Sequence, residues 1–384
     1  MFNSDIDRIL PEVIEIRRHV HMYPELSGEE RETTAYLCDI LDKNGISYMV
    51  LPENSGVVAS VGSGDRAVGV RAEMDALPIT EATGLEYASK NVGVMHACGH
   101  DIHFAAALGL LLLLKPHENE LDHAVKVFFQ PAEETVGGAD AMIRLGCMED
   151  PKTDTVFGLH VDPTLRTGAV RYLPGAMNAA VTDFELTVLG RSCHGARPHQ
   201  GIDAIVAAAG IVTALQAVPS RRFSPTTPVV LTLGTINGGT ANNIIAGEVK
   251  ITGTLRALDM GVMAELKRIV RETCENAAQG FGATAEVNYT TEYPVLKNAD
   301  ELTESTIAKI AELIGKENVI KMEAPSLGAD DFAFFCQEAD CFYFNVGCRG
   351  ENQGDEQVLH SSCLAPDEDS LRIALEILSE IVTI

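Results

Sequence analysis

Apolar residues recur at helical spacing through "IDRILPEVIEIRRHVH", Ile6 to His21, with charged residues between them, and predict an amphipathic first helix. "SGEE" at Ser27 to Glu30 has the form of a capping box and predicts a second helix ending near Asn44 and Gly45. The period then changes. "AVGVRAEMDAL", "AVKVFFQ" and "TVFGLHV" are short, β-branched and mostly apolar, as strands buried on both faces are. "FAAALGLLLLL", Phe104 to Leu114, is apolar on every side and reads as a core helix. Helices alternating with such strands predict an α/β fold, a mainly parallel sheet covered by helices.

From about Thr182 the predicted order is strand "DFELTVLGR", helix "GIDAIVAAAGIVTALQAV", strands "PVVLTLGTI" and "EVKITGTLRAL", helix "VMAELKRIVRETCENAAQ" and strand "TAEVNYTTEY". That β-α-β-β-α-β order is the ferredoxin-like α+β arrangement. After Pro294 the helix-strand alternation resumes with "ELTESTIAKIAELIG", "CFYFNVG" and "EDSLRIALEILSEIV". The expectation is a discontinuous domain over 1–180 and 294–384, interrupted by a smaller inserted domain over 181–293.

Composition narrows the functional classes. A chain of 384 residues exceeds one core of ordinary size. A formal net charge of -26 repels phosphate backbones and anionic lipid heads, so neither a nucleic-acid nor a membrane partner is expected. The longest apolar run falls short of the roughly 20 residues of a membrane span. "MFNSDIDRILPEVIEIRRHV" lacks the apolar stretch of a secretory signal, so a cytoplasmic location is expected. Nine cysteines at irregular spacings argue for reduced thiols rather than a disulfide framework. Only Cys98, Cys193 and Cys363 lie beside histidines or a histidine-bearing loop.

"HACGHDIH", His96 to His103, concentrates metal-capable groups at the mouth of the core helix. In a chain bent at Gly99, Cys98 and His100 project to the same side, and Asp101 is placed to cap the helix or to orient a ligand. A divalent ion takes about four ligands, and a hydrolytic site keeps one position open. Further ligands should come from the carboxyl ends of buried strands. There "KVFFQPAEE" offers Glu133 and Glu134, "VFGLHV" offers His160, and "VLHSS" offers His360. Taken singly, a strand histidine is more often a hydrogen-bonded core residue, paired glutamates a solvated turn, and a cysteine packing. Their conjunction in this order favours a metal site. Adjacent glutamates diverge, so one can coordinate while the other handles a proton.

In the order "MDALP", "HACGHD", "QPAEE", "GLHV", "GGTANNIIAG", "GTLR" and "LHSS", essentially the whole chain resembles the M20 metallopeptidase family, in its amidohydrolase branch of aminoacylase-like, hippurate and indole-acetyl-amino-acid hydrolases. The resemblance implies a catalytic domain holding two divalent ions (zinc, manganese or nickel) and an inserted lid or dimerisation domain through which the chain forms a homodimer. It implies Cys98, His100, Glu134, His160 and His360 as metal ligands and Glu133 as general base. Asp75 would orient a ligand histidine, His194 would stabilise the oxyanion, and Asn243 and Arg256 would hold the substrate's carboxylate or scissile carbonyl. The implied reaction is hydrolysis of the amide bond of a small N-acetyl or aryl-acyl amino acid. The alternatives are a dipeptidase or carboxypeptidase acting on short peptides, a non-catalytic metal- or ligand-binding protein, and a cysteine hydrolase using Cys193 or Cys98. Glu73 and Asp330 stand where the branch usually has aspartate and glutamate, and these departures are expected to bear on specificity rather than mechanism.

Overall fold

Strand Ala124–Gln130 is buried at every position. Val125, Val127 and Phe129 face a large core with helix His100–Leu114, whereas Phe128 turns to the other face and stacks on Phe335, ring centroids 5.2 Å apart. Burial on both faces explains why period-2 alternation is absent there. The computed structural model describes residues 3–135, 137–351 and 357–383. They divide into two units, one of Met1–Met177, Lys297–Ala324 and Asp330–Ile384, the other of Asn178–Leu296 and Pro325–Ala329.

The first unit is built on an eight-stranded sheet. Its centre is parallel: Ala124–Gln130 pairs with Arg66–Glu73, which pairs with Lys152–Arg166, which pairs with Asp340–Arg349. Strands Ser47–Val50 and Val57–Val61 extend one side in antiparallel sense. All 15 residues of His100–Leu114 are buried, as a helix apolar all round must be. Helices Asn3–Met22 and Asp369–Ile381 cover it with their apolar faces. Gly109 permits the close approach, since a Cβ there would lie 3.0 Å from Val13 Cγ2. The mainly parallel sheet covered by helices is therefore observed.

Two local expectations are corrected. The second helix, Arg31–Lys43, has no side-chain cap at Glu30. Ser27 donates instead to Asp75 Oδ2 at 2.7 Å, and Glu30 accepts from the Ala132 backbone at 2.9 Å, so the side chains of "SGEE" serve two distant loops rather than capping their own helix. Asp101 does not cap the core helix either. Its carboxylate, 0% exposed, takes Arg17 Nε at 2.6 Å and His21 Nδ1 at 2.9 Å, tying the helix to Asn3–Met22.

The second unit is a four-stranded sheet in the order Val229–Gly238, Glu248–Ala257, Ala180–Leu189, Thr284–Tyr293, antiparallel throughout. Helices Ala204–Leu215 and Met260–Gly280 bury apolar faces on it. With the β-α-β-β-α-β order, this is the ferredoxin-like arrangement.

Candidate metal centre

The parallel strands of the first unit end together, and the loops leaving them carry the candidate ligands, as in other open α/β sheets. Gly99 makes the bend that puts Cys98 and His100 side by side: its φ is +84°, and a Cβ would lie 2.3 Å from Val161 Cγ2. The loop after Ala124–Gln130 is equally tight, with a Cβ at Gly138 falling 1.9 Å from the Pro131 carbonyl oxygen. Ala132 takes a positive φ of 56° and His360 one of 62°, uncommon values for residues with a Cβ that here flank or form the site.

Ligand atoms of Cys98, Glu134 and His360 all lie within 4.8 Å of one another, as do those of His100, Glu133 and Glu134 and those of Glu73, His100, His103 and His160. Hydrogen bonding separates ligands from supports. His100 Nδ1 donates to the Asp75 carbonyl at 2.9 Å, and its Nε2 is buried without a partner among the described residues. Asp75 Oδ2 accepts from the Glu134 backbone at 3.0 Å, while Glu134 Oε1 has no hydrogen bond among the described residues and sits 3.2 Å from His360 Nε2. His160 Nδ1 donates to the Val161 carbonyl at 2.8 Å, which leaves Nε2 facing Cys98 Sγ at 3.3 Å. His103 differs. Its Nε2 accepts the Val161 N–H at 2.9 Å and its Nδ1 donates to Glu73 Oε2 at 2.9 Å, so neither nitrogen is free for an ion. His100 Nε2 and Glu134 Oε1, unpartnered among the described residues, beside the Cys98 thiol and His160 Nε2, are a donor set that fits a divalent cation.

Electrostatics agree with that fit. Burial pushes the Cys98 thiol up, so without a cation it keeps its proton. Burial, reinforced by His103, lowers His160 to about 4, and the ring is neutral as a ligand must be. Glu134 is held below its ordinary range despite burial, through His360 and His100. Glu133 moves the other way: burial, then Asp330 and Asp331, push it well above the usual carboxylate range. Two adjacent carboxyls thus have opposite proton affinities, as an acid-base group beside a ligand requires.

Asp330 and Asp331 belong to a buried cluster that sequence reasoning did not assemble. Arg71, fully enclosed, donates to Glu73 and to Asp331 at 2.6 Å and lies 3.1 Å from Asp330, which also accepts from Tyr343 at 2.6 Å. Glu73 and Asp330 are therefore two ends of one clamp around the Arg71 guanidinium, and both are buried. A charged residue in an otherwise apolar strand, at Arg71 and again at Glu73, was the available signal.

In the second unit, the strand pair Cys193–His194 and Ile244–Ile245 brings His194 beside Asn243, whose carbonyl accepts from Gly195 at 2.7 Å. His194 is exposed, and its Nδ1 accepts from the Ala196 backbone at 3.0 Å, which puts the ring proton on Nε2. Arg256 lies on the sheet and donates to the Leu327 carbonyl at 2.6 Å. Cys193 donates to the Arg197 carbonyl at 3.3 Å, away from the His194 ring.

Metal-capable side chains converging at strand ends, beside a second carboxyl held above the usual carboxylate range, are the equipment of a metal-dependent hydrolase. The chain belongs to peptidase family M20/M25/M40, whose pattern matches residues 69–383. It is 38% identical to an N-acetyl-L-cysteine deacetylase of Bacillus subtilis over 343 residues, 89% of this chain and 81% of that protein. It is 35% identical to a thermostable carboxypeptidase of Saccharolobus solfataricus over 379 residues, 96% of this chain and 94% of the other. Among solved structures, a dinuclear metal-binding peptidase of the M20 family from Bacillus subtilis superposes with a TM-score of 0.82 at 29% identity, covering 98% of each chain. The protein is an M20-type metal-dependent amidohydrolase, an enzyme acting on amides.

Proposed function

We propose that the chain hydrolyses the amide bond of N-acyl amino acids, with N-acetyl compounds as the first class to test, and that Cys98, His100, Glu134, His160 and His360 hold two divalent ions. The observation that carries this reading is the convergence of Cys98, Glu134 and His360, and of His100, Glu133 and Glu134, each set with ligand atoms within 4.8 Å of one another, to which the opposite shifts of Glu134 and Glu133 add support. Bound divalent ions would polarise the scissile carbonyl and acidify water. Glu133 takes the proton from the attacking water and returns it to the leaving amine, and its buried surroundings favour the protonated form between those two events. Asp75 fixes the His100 ring through its carbonyl and steadies Glu134 through its carboxylate. His194, with its Nε2 proton outward, is suited to the oxyanion, and Asn243 and Arg256 to the substrate's carboxylate. Thiol and imidazole ligands favour zinc, and the carboxylates leave room for manganese or nickel. The reading includes a homodimer formed through the second unit and a cytoplasmic location. No helix among the described residues is long and apolar enough to cross a membrane.

The relative named as a carboxypeptidase supports a second reading, cleavage of a C-terminal residue from short peptides. Both are tested by elemental analysis followed by amino-acid release from N-acetyl, N-benzoyl and dipeptide substrates before and after chelation. Chelation-sensitive release from N-acyl amino acids is the expected result. Preferred cleavage of peptides selects the second reading, and turnover untouched by removal of all metal overturns both.

A further inference from the structure

Glu30 is the one carboxylate of the second-helix entry that is completely enclosed, 0% exposed, although it lies a hundred residues in sequence from the loop it touches. Its Oε1 accepts the Ala132 N–H at 2.9 Å, and its Oε2 has no partner among the described residues. Ala132 is the residue before Glu133 and holds the left-handed backbone, φ +56°, that alanine disfavours. The peptide is gripped on its other side too, where the Ala132 carbonyl accepts from Gly137 at 3.1 Å. One residue further, Glu134 N–H is held by Asp75, which Ser27 also holds. From the same short stretch, Glu30 reaches that loop directly and Ser27 reaches it only through Asp75. Ser27 acts on the Glu134 side and Glu30 on the Glu133 side. The Glu30 carboxyl does not cap the helix it precedes, and its bond to a remote part of the chain goes to a strained peptide.

We infer that Glu30 is a positioning residue: it holds Ala132 in the left-handed conformation and so aims the Glu133 carboxyl. The inference rests on the reading of Glu133 as the proton carrier. Without the Glu30 acceptor, Ala132 relaxes toward negative φ and the direction of the next side chain changes. Misplacement of a reacting group by about 1 Å costs on the order of 100-fold in rate, so the loss should fall on kcat. Glutamine can keep the acceptor, and it removes the repulsion from Asp75 that contributes to Glu30's high proton affinity. Glycine at 132 adopts positive φ freely and should make the grip less necessary.

The experiment uses the full-length metal-loaded protein and its Glu30→Gln, Glu30→Leu and Glu30→Leu/Ala132→Gly variants. Amide exchange at Ala132 is followed by mass spectrometry, with metal content, kcat and KM on the best N-acyl substrate. Glu30→Leu should exchange at Ala132 at least about tenfold faster than wild type and lose about 10- to 100-fold in kcat, with KM and metal content retained. Glu30→Gln should stay within about threefold of wild type in both readouts, and Ala132→Gly should restore part of the kcat lost in Glu30→Leu. Should Glu30→Leu fail to fold, Glu30→Ser carries the same comparison. Wild-type exchange at Ala132 in a folded variant lacking the acceptor overturns the inference, as does a defect confined to KM or one that Ala132→Gly leaves unrelieved. The exchange measurement needs no substrate, so a wild-type protein inactive on the whole panel sinks the proposed activity while the positioning of Ala132 is still decided.

Discussion

Glu133 and Glu134 differ by one position and share His100 as a neighbour, but their other surroundings differ. Glu134 faces imidazoles and is held low; Glu133 faces two aspartates and is held high. Replacing Glu133 by glutamine should therefore lower kcat by about 100- to 10,000-fold, the range of general acid-base catalysis, with metal content unchanged by elemental analysis. Loss of metal together with activity would show that Glu133 is a ligand. Cys98 supports a second prediction. Its buried thiol keeps a proton that a cation must displace, so metal affinity, measured by competition with a chelator, should rise from pH 6 to pH 8. Cys98→Ser should weaken binding and flatten that rise.

Elements are joined by buried charge at the entry to the core helix. Arg17, His21 and Asp101 are all enclosed, and Asp101 is held far below its ordinary range because Arg17 and His21 outweigh the cost of burial. Removing one partner leaves a buried charge uncompensated, and Arg17→Met should cost about 3–5 kcal/mol by denaturant titration. The bend that follows Cys98 is as demanding. Gly99→Ala combines a disfavoured φ with a clash against Val161, and should cost at least about 1–3 kcal/mol while weakening metal binding.

Across the whole molecule, protonation and folding are linked with two opposite signs. Asp101 and Asp75 have depressed proton affinities in the fold, so their contribution is present above their unfolded pKa values, near 4, and is lost as pH falls through the folded ones. Glu30 and Asp331 are raised to about 7, chiefly by burial; their contribution is complete below the unfolded values near 4 and is lost as pH rises toward 7. The chelated protein should therefore show a Tm that falls between about pH 5 and pH 8, and Glu30→Gln should make the fall shallower. A flat profile in the parent would contradict the burial of these acids. Divalent metal should raise Tm by mass action on the folded state.

Much of the fold was legible in the sequence, because the periods of buried strands and helices depend on local spacing. The all-apolar Phe104–Leu114, the strands around Val70, Val127 and Phe157, and the β-α-β-β-α-β order from Thr182 onward could all be read without knowing what packs on what. The cluster of metal-capable residues was also readable, as residue types at strand ends and a glycine bend between Cys98 and His100. What needed the tertiary structure was the destination of side chains whose partners are remote in sequence. Local spacing makes Ser27 and Glu30 a capping box, and only the approach of Asp75 and of the loop at Ala132 shows where they go. It likewise took the fold to satisfy both nitrogens of His103 while turning Nε2 of His100 and of His160 toward the site, and to gather Glu73, Asp330 and Asp331 around Arg71. Hydrophobic period is a property of neighbouring residues along the chain, whereas hydrogen-bond satisfaction and proton affinity are set by whatever the fold brings within a few ångströms.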